Sequence, residues 1–137
     1  MRHLYVALAD DALVTGLEPD WSALAAAAGE AGVSCFHAAG DRVHTRMFGP
    51  GLGVVEDPAT GSAAGPLAVH LAQSGVVEFG TALTVAQGAE IGRPSRIEAL
   101  AEGDARGVRR VLVGGAVAFV AEGAFGPGLG GTRVVDR

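Results

Sequence analysis

The sequence predicts an α+β domain in which a curved β-sheet wraps around one buried helix. Residues Ser62–Ser74 form a run with almost no polar face, which is typical of a helix buried on most sides. Short segments rich in β-branched residues flank that run and predict strands. A second helical pattern follows Pro19-Asp20, so the strands outnumber the helices.

The first half of the chain predicts one helix and a hairpin. The helix begins after Asp20, whose carboxylate can accept from free amides of the first turn, and Gly29 and Gly32 end it. Trp21 and Leu24 lie on its apolar side. The predicted strands are His3–Ala9, Ala12–Val14, Val33–Ala38 and Arg42–Phe48, and Ala39-Gly40-Asp41 joins the last two strands.

The second half predicts a loop, the buried helix and further strands. Gly49–Gly53 is the loop, because glycine and proline at this density do not hold a regular element. The strands after the helix are Ala82–Ala86, Arg96–Ala101, Arg109–Val113 and Val117–Ala121. We predict a single domain over residues 1–125 and a flexible glycine-rich tail over residues 126–137. The tail matches the dinucleotide fingerprint, but only six residues follow the match, too few for a helix.

Composition and charge exclude several classes of protein. The net charge is -5 and the basic residues are scattered, which argues against a nucleic-acid surface. No apolar run spans a bilayer and no signal peptide opens the chain, so we expect a cytoplasmic protein without a membrane partner. The single Cys35 excludes an internal disulfide. A buried thiol is the favoured interpretation of Cys35, and a nucleophile paired with His37 is the alternative.

Candidate chemistry concentrates in the turn before the buried helix. Pro58 favours an extended backbone at Asp57, which aims that carboxylate away from the helix axis. Gly61 allows close approach of a ligand, and Pro66 cannot donate to the carbonyl of Ser62. We therefore expect free amides in the first turn, Ser62 to Gly65, which is the setting of an anion site. The alternative is an acidic turn in which Asp57 and Ser62 only satisfy nearby backbone donors.

Glu56-Asp57-Pro58-Ala59-Thr60-Gly61-Ser62-Ala63 resembles the signature of PhzF-like (phenazine biosynthesis-like) isomerases. The resemblance continues upstream at Arg46, Phe48, Pro50 and Gly53, and downstream at Gln87-Gly88, Gly92–Ser95 and Val113–Gly115. It covers nearly the whole chain and resembles the carboxyl-terminal half of the family. It implies half of a diaminopimelate-epimerase-like fold and a cytoplasmic isomerase without cofactor or metal.

The resemblance also assigns roles to individual residues. It implies that Asp57 is catalytic and that Ser62, with Gly61 and Ala63, binds the substrate between two similar domains. In the family, a Glu of the amino-terminal domain moves the proton of dihydro-hydroxyanthranilate. That Glu lies within a motif that contains Asn. This chain has no Asn, and Glu56 and His70 are weak substitutes for that Glu.

Two arginines and the remaining histidines complete the candidates. Arg93 either binds a substrate carboxylate or pairs with Glu56 or Glu90 to brace the turn, and the residues favour neither. Arg96 is interpreted as a solvated strand residue. The spacing of His3, His37 and His44 predicts no metal site.

We therefore expect an isomerase-type domain that acts on a small cyclic or amino-acid-like carboxylate by acid–base proton transfer. It would require a separately encoded amino-terminal half or a homodimer. The alternatives are a non-catalytic module that binds small anions and a gene fragment.

Overall fold

The computed structural model describes residues 2–123, which contain seven strands and three α-helices. The predicted tail, residues 126–137, lies outside the described residues. The strands are β1 Arg2–Ala7, β2 Ala31–Ala39, β3 Arg42–Gly49, β4 Val54–Asp57, β5 Ala82–Gln87, β6 Ser95–Asp104 and β7 Gly107–Gly114, and the helices are α1 Asp11–Thr15, α2 Trp21–Ala28 and α3 Gly61–Gln73.

The predicted strand at Ala12–Val14 is wrong, because this segment lies in the short helix α1. Asp10 is the cause: its Oδ1 accepts a hydrogen bond of 2.8 Å from the N–H of Leu13, which caps the helix. Val14 is fully buried, so one apolar side chain anchors the turn to the rest of the molecule. The pattern alone did not reveal the cap, since the acidic pair was interpreted as a break between strands.

The helix and hairpin of the first half are confirmed. Asp20 Oδ1 accepts from the N–H of Ala23 at 3.0 Å, and α2 ends at Gly29. Strands β2 and β3 pair antiparallel, and Gly40 has the positive φ of 63° that the tight turn between them requires. The predicted Gly49–Gly53 loop contains one turn of 3₁₀ helix, Pro50–Leu52.

All seven strands join one sheet in the order β1-β2-β3-β5-β6-β7, with β4 paired to β3. The pairs β1–β2 and β3–β5 are parallel, and the other pairs are antiparallel. Helix α3 follows β4 and precedes β5, and it packs on one face of the sheet against β6 and β7.

The core lies between α3 and that face of the sheet. Leu67 of α3 is 1% exposed and belongs to one apolar cluster with side chains from β2, β3, β5 and β6. The burial predicted for this helix is therefore confirmed, with one exception. A strip of α3 is exposed to solvent, and it consists of Ser62, Pro66, His70 and Gln73.

The predicted strand at Val117–Ala121 is wrong, because residues 115–123 adopt no regular secondary structure. Among the described residues, β7 pairs with β6 and offers its other edge to no strand. In residues 115–123, the side chains of Val117, Phe119 and Val120 are consequently more than 80% exposed. Within residues 2–123, no helix is long and apolar enough to cross a membrane.

Candidate functional site

The candidate site lies where two strands share one edge of β3 and then separate. Strand β5 pairs with residues 42–45 of β3, and β4 pairs with residues 47–49. Arg46 stands between the two pairings. The last residues of β4 and β5, Asp57 and Gln87, are therefore brought close together, immediately before the chain enters α3.

The buried Gln87 side chain fills the gap between the separating strands. Its Nε2 donates to the carbonyl of Asp57 at 2.6 Å and to Oγ1 of Thr60 at 2.9 Å. Its Oε1 accepts from the N–H of Thr60 at 3.2 Å. All three bonds end on the turn 57–60, so an amide that is 3% exposed fixes the path into α3.

Gly88 allows the chain after β5 to lie directly against the same turn. Its φ is +83°, and a Cβ at this position would lie 2.8 Å from the carbonyl oxygen of Pro58 and 2.5 Å from that of Arg93. A side chain here would displace one of the two backbones. The Gln87-Gly88 pair thus packs and hydrogen-bonds the turn that carries Asp57.

Arg46 and Glu56 form a buried bidentate ion pair beside the turn. Nε and Nη2 of Arg46 donate to the two carboxylate oxygens of Glu56 at 2.9 and 2.8 Å. Nη1 donates to the carbonyls of Thr15 and Leu17 at 3.2 and 2.8 Å. The hydrogen bonds that Arg46 donates to Glu56 raise the pKa of Arg46 above its ordinary value. Both oxygens of Glu56 are therefore engaged, which removes it as a substitute general base.

Asp57 is held by one carboxylate oxygen and has the other available. Oγ1 of Thr60 donates to Oδ2 at 2.6 Å, while Oδ1 accepts no hydrogen bond from any described residue. Since Thr60 in turn accepts from Gln87, a chain of three polar groups orients the carboxylate. A half-buried carboxylate fixed in this way can accept or return a proton at Oδ1.

The first turn of α3 offers fewer free amides than the sequence predicts. The carbonyl of Thr60 accepts from the N–H groups of Ala63 and Ala64 at 3.0 and 3.1 Å. Within residues 2–123, the N–H groups of Gly61 and Ser62 donate to no acceptor. The expectation of free amides throughout Ser62 to Gly65 is thus wrong, because the first turn tightens onto Thr60, and Ala63 presents no free amide.

The Ser62 side chain is exposed, and its hydroxyl lies 3.2 Å from Nε2 of His3. Two residues along the same strand, the hydroxyl of Tyr5 donates to the carbonyl of Ala63 at 2.8 Å. Strand β1 therefore contacts the start of α3 through two side chains on one face.

The Arg93 side chain is exposed and forms no ion pair with the described residues. Glu56 pairs with Arg46, and Glu90 pairs with His44 at 2.8 Å. The alternative that Arg93 braces the turn through either glutamate is consequently wrong. The Arg93 carbonyl lies beside Gly88, so the loop that carries Arg93 is next to the candidate turn.

An open cleft of about 550 Å³ lies between the start of α3 and the end of β7. Gly61, Arg96 and Val113 are among its lining residues, together with residues 114–116. Asp57 and Ser62 lie outside this lining. The cleft therefore adjoins the free amide of Gly61 without including the Asp57 carboxylate.

The sequence profile described as "Phenazine biosynthesis-like protein" matches residues 1–123 of the chain. The chain belongs to the phenazine biosynthesis-like protein family.

Individual relatives agree with this assignment. The chain is 52% identical over 114 residues to a trans-2,3-dihydro-3-hydroxyanthranilate isomerase of Pseudomonas chlororaphis, covering 83% of this chain and 41% of the relative. It is 48% identical over 122 residues to the enzyme of the same name from Pseudomonas aeruginosa, covering 89% of this chain and 44% of that protein. The solved structure of a predicted epimerase from Pseudomonas aeruginosa superposes with a TM-score of 0.59 at 33% identity, covering 85% of this chain and 40% of that one.

The chain thus spans about two fifths of the length of the curated relatives it matches. The profile match confirms the predicted family. The sheet topology and the solved relative confirm the predicted α+β class with a curved sheet around a central helix. The names of the relatives describe isomerases.

The other polar candidates lie apart from the phenazine biosynthesis-like signature turn. Cys35 is half-buried in β2, and burial raises the pKa of its thiol. His37 Nδ1 lies 3.1 Å from the carbonyl oxygen of Leu8, so that ring is occupied locally. His70 is exposed on α3. In the described part of the chain, no three potential ligands approach closely enough to hold a metal ion.

Sequence reasoning missed three residues that organise the signature turn: His3, Thr60 and Gln87. Thr60 stands inside the signature and Gln87 inside a second family motif, so both had a signal that was not connected to Asp57. His3 had no such signal. It lies 59 residues before Ser62, and only the pairing of β1 with β2 brings the two side chains together.

Proposed function

We propose that this chain forms one half of the active site of an isomerase that transfers a proton on a small cyclic or amino-acid-like carboxylate. Asp57 supplies the general acid or base, and Ser62 with the amides of Gly61 and Ser62 binds the carboxylate. The observation that carries the proposal is the Asp57 carboxylate, whose Oδ2 is fixed by Thr60 at 2.6 Å and whose Oδ1 is available.

The polarity at the start of α3 supports a carboxylate ligand. At the positive, amino-terminal end of this 13-residue helix lie one hydroxyl and two adjacent N–H groups that donate to no acceptor within residues 2–123. Arg93, exposed on the neighbouring loop, adds a guanidinium that can pair with an anion bidentately. No cofactor is needed for a proton transfer between two positioned groups.

The reaction requires a second proton-transferring group from outside this chain. Glu56, the carboxylate adjacent to Asp57, is engaged by Arg46. A complementary amino-terminal half would supply that group, and a homodimer is the other arrangement. The exposed strip of α3 that begins at Ser62 supports either association, since it continues from the candidate site along the helix.

The engagement of Glu56 also favours a second candidate function. A chain with the anion-binding groups and one free carboxylate could capture a small carboxylate without converting it. This module would have a regulatory or scavenging role.

The test combines this chain with the remaining amino-terminal segment of the Pseudomonas chlororaphis relative. Conversion of trans-2,3-dihydro-3-hydroxyanthranilate is measured for the wild type and for Asp57→Asn. The variant keeps an oxygen that accepts from Thr60, so the melting temperature should change little. Turnover should fall about 10²- to 10⁴-fold, the contribution of a general acid or base.

Ser62→Ala should weaken binding by a smaller factor, about tenfold, because one hydroxyl is lost. Asp41→Asn is the matched control, since this exposed aspartate lies in the β2–β3 turn. A melting temperature lowered by several degrees with turnover intact would make Asp57 a structural residue. Binding of 3-hydroxyanthranilate without any turnover in the assembled protein would support the binding module.

A further inference from the structure

Strand β1 contacts the start of α3 through His3 and Tyr5, and the two contacts differ in kind. Tyr5 donates to a backbone carbonyl, that of Ala63, and this bond does not depend on the side chain of its partner. His3 contacts the Ser62 hydroxyl, which is an exposed side-chain group at the candidate site. Only the His3 contact can control how a functional side chain is oriented.

The His3 ring lies over a position of β2 that has no side chain. In the parallel β1–β2 ladder His3 is paired with Gly32. A Cβ on Gly32 would lie 3.0 Å from Nδ1 of His3 and 3.0 Å from Cε of Met47. The missing side chain thus provides the space in which the imidazole rests, with the methyl group of Met47 beside it.

This position determines the protonation of the imidazole. Nδ1 is buried and has no hydrogen-bond partner among the described residues. A charged ring would bury an N–H with no acceptor, and burial accordingly lowers the pKa of His3. Of the two neutral tautomers, the one with its proton on Nε2 leaves Nδ1 as an acceptor without a donor, whereas the other leaves a buried N–H without an acceptor. A buried N–H without an acceptor is the rarer of these two defects in folded proteins, so the Nε2 tautomer is favoured.

The tautomer in turn sets the role of Ser62. With its proton on Nε2, His3 donates to Ser62 Oγ across the 3.2 Å contact. The serine oxygen then accepts from His3, and its own hydrogen remains available for an anion at the free amides of Gly61 and Ser62. With the proton on Nδ1 instead, the Ser62 hydroxyl would donate its hydrogen to Nε2 of His3 and could not donate it to the anion.

We propose that His3 is a positioning residue that holds the Ser62 hydroxyl as a hydrogen-bond donor toward the bound carboxylate. The proposal rests on the proposed function for the role of Ser62 as an anion ligand. Gly32 contributes to this positioning, since its missing side chain leaves the space in which the His3 ring packs.

The experiment is a double-mutant cycle on the full chain assembled with the same amino-terminal segment, with 3-hydroxyanthranilate as the probe and binding measured by calorimetry. His3→Phe keeps a ring of similar size and removes both nitrogens, and we expect it to weaken binding about threefold to tenfold. In the Ser62→Ala background the same substitution should have no further effect, because the two residues act as one unit. Gly32→Ala, which displaces the ring, should weaken binding in the same direction.

Tyr5→Phe is the matched control, and its effect on binding should be equal in the wild-type and Ser62→Ala backgrounds. Equal weakening by His3→Phe in both backgrounds would overturn the proposal, as would no weakening in the wild type. Nitrogen NMR of the His3 ring provides a readout that needs no ligand. A proton on Nδ1, or a ring signal unchanged by Ser62→Ala, would overturn the positioning role even if the probe does not bind. A protein whose His3 ring shows the expected tautomer and a signal that changes in Ser62→Ala, but that does not bind the probe, would contradict the proposed function instead.

Discussion

The described part of the chain contains two bidentate Arg–Glu pairs, one beside the candidate site and one on β6 and β7 at the edge of the sheet, and they differ in burial. Arg46–Glu56 and Arg110–Glu102 have the same closest contact of 2.8 Å. The side chains of the first pair are 9% and 7% exposed, and those of the second are 60% and 34% exposed. The buried Arg46–Glu56 pair therefore holds the candidate site together, whereas the exposed Arg110–Glu102 pair is solvated and contributes little to stability.

The difference shows where this fold concentrates its specific interactions. Around the strand separation, the turn 57–60 is fixed by Gln87, Arg46 and Gly88 in a buried setting. At the other end, β7 and residues 115–123 leave large apolar side chains in contact with solvent. The first region is held by buried contacts within the chain, whereas the second exposes apolar side chains to solvent.

Removing the two arginines in turn gives the largest expected contrast. Arg46→Met should destabilise the fold by about 3–5 kcal/mol, because Glu56 is left as a buried charge without its cation. The carbonyls of Thr15 and Leu17 lose a donor as well. Arg110→Met should leave the urea midpoint unchanged, since its exposed pair is screened by water. Equal effects of the two substitutions on denaturant unfolding would contradict the comparison.

Glycine substitutions test the same region through packing. Gly88→Ala should cost about 2–4 kcal/mol, because a positive φ and three backbone contacts under 3 Å both oppose a Cβ. Gly92→Ala is the control: its φ is +70°, yet nothing lies within 4 Å of the added carbon. Its cost should be only about 1 kcal/mol, from backbone strain alone. Thermal or chemical unfolding of both variants measures the difference, which should vanish if the turn is not packed against Gly88.

A smaller effect is expected where β1 contacts α3. Tyr5→Phe should cost about 0.5–1.5 kcal/mol through the lost bond to Ala63. Burial raises the pKa of Tyr5 above its ordinary value of 10.0, so this group's stabilisation is fully present below pH 10. It is lost as the pH rises through the folded pKa, and the variant should lack that loss.

The chain suits this pH measurement because Tyr5 is its single tyrosine and it contains no lysine. Absorbance of the phenolate therefore reports Tyr5 alone. Cys35→Ala is the control, because burial also raises the pKa of that thiol above its ordinary value of 9.0. An alkaline loss of stability that persists in Tyr5→Phe and disappears in Cys35→Ala would assign it to the thiol.

The smallest effect on stability is expected at the free edge. Replacing Val117, Phe119 and Val120 with Ser should change the free energy of unfolding by less than about 0.5 kcal/mol, because all three are exposed. Association, as a homodimer or with an amino-terminal half, should weaken. Light scattering at high micromolar concentration and pull-down measure it, with the exposed Val55→Ser as control. A monomer that retains no partner before substitution would contradict the expected association.

Local signals predicted most of the fold correctly. Asp20 and Gly29 delimit α2, Gly40 makes the hairpin turn, and the apolar run predicted the buried α3. The two wrong strands mark the limit of such signals. Asp10 proved to be a helix cap, and Val117–Ala121 has strand composition but no neighbouring strand among the described residues. A strand pattern therefore indicates a tendency that only pairing converts into a strand.

The sequence by itself determined the family, the α+β class and the turn that carries Asp57 and Ser62, because these depend on motifs and periodicity along the chain. Tertiary structure decided which groups near that turn are free. It engaged Glu56 with Arg46, tied Asp57 through Thr60 to Gln87, and brought His3 to Ser62. These contacts join residues up to 59 positions apart. Strand register brings such residues together, and register is a property of the folded sheet that no local pattern specifies.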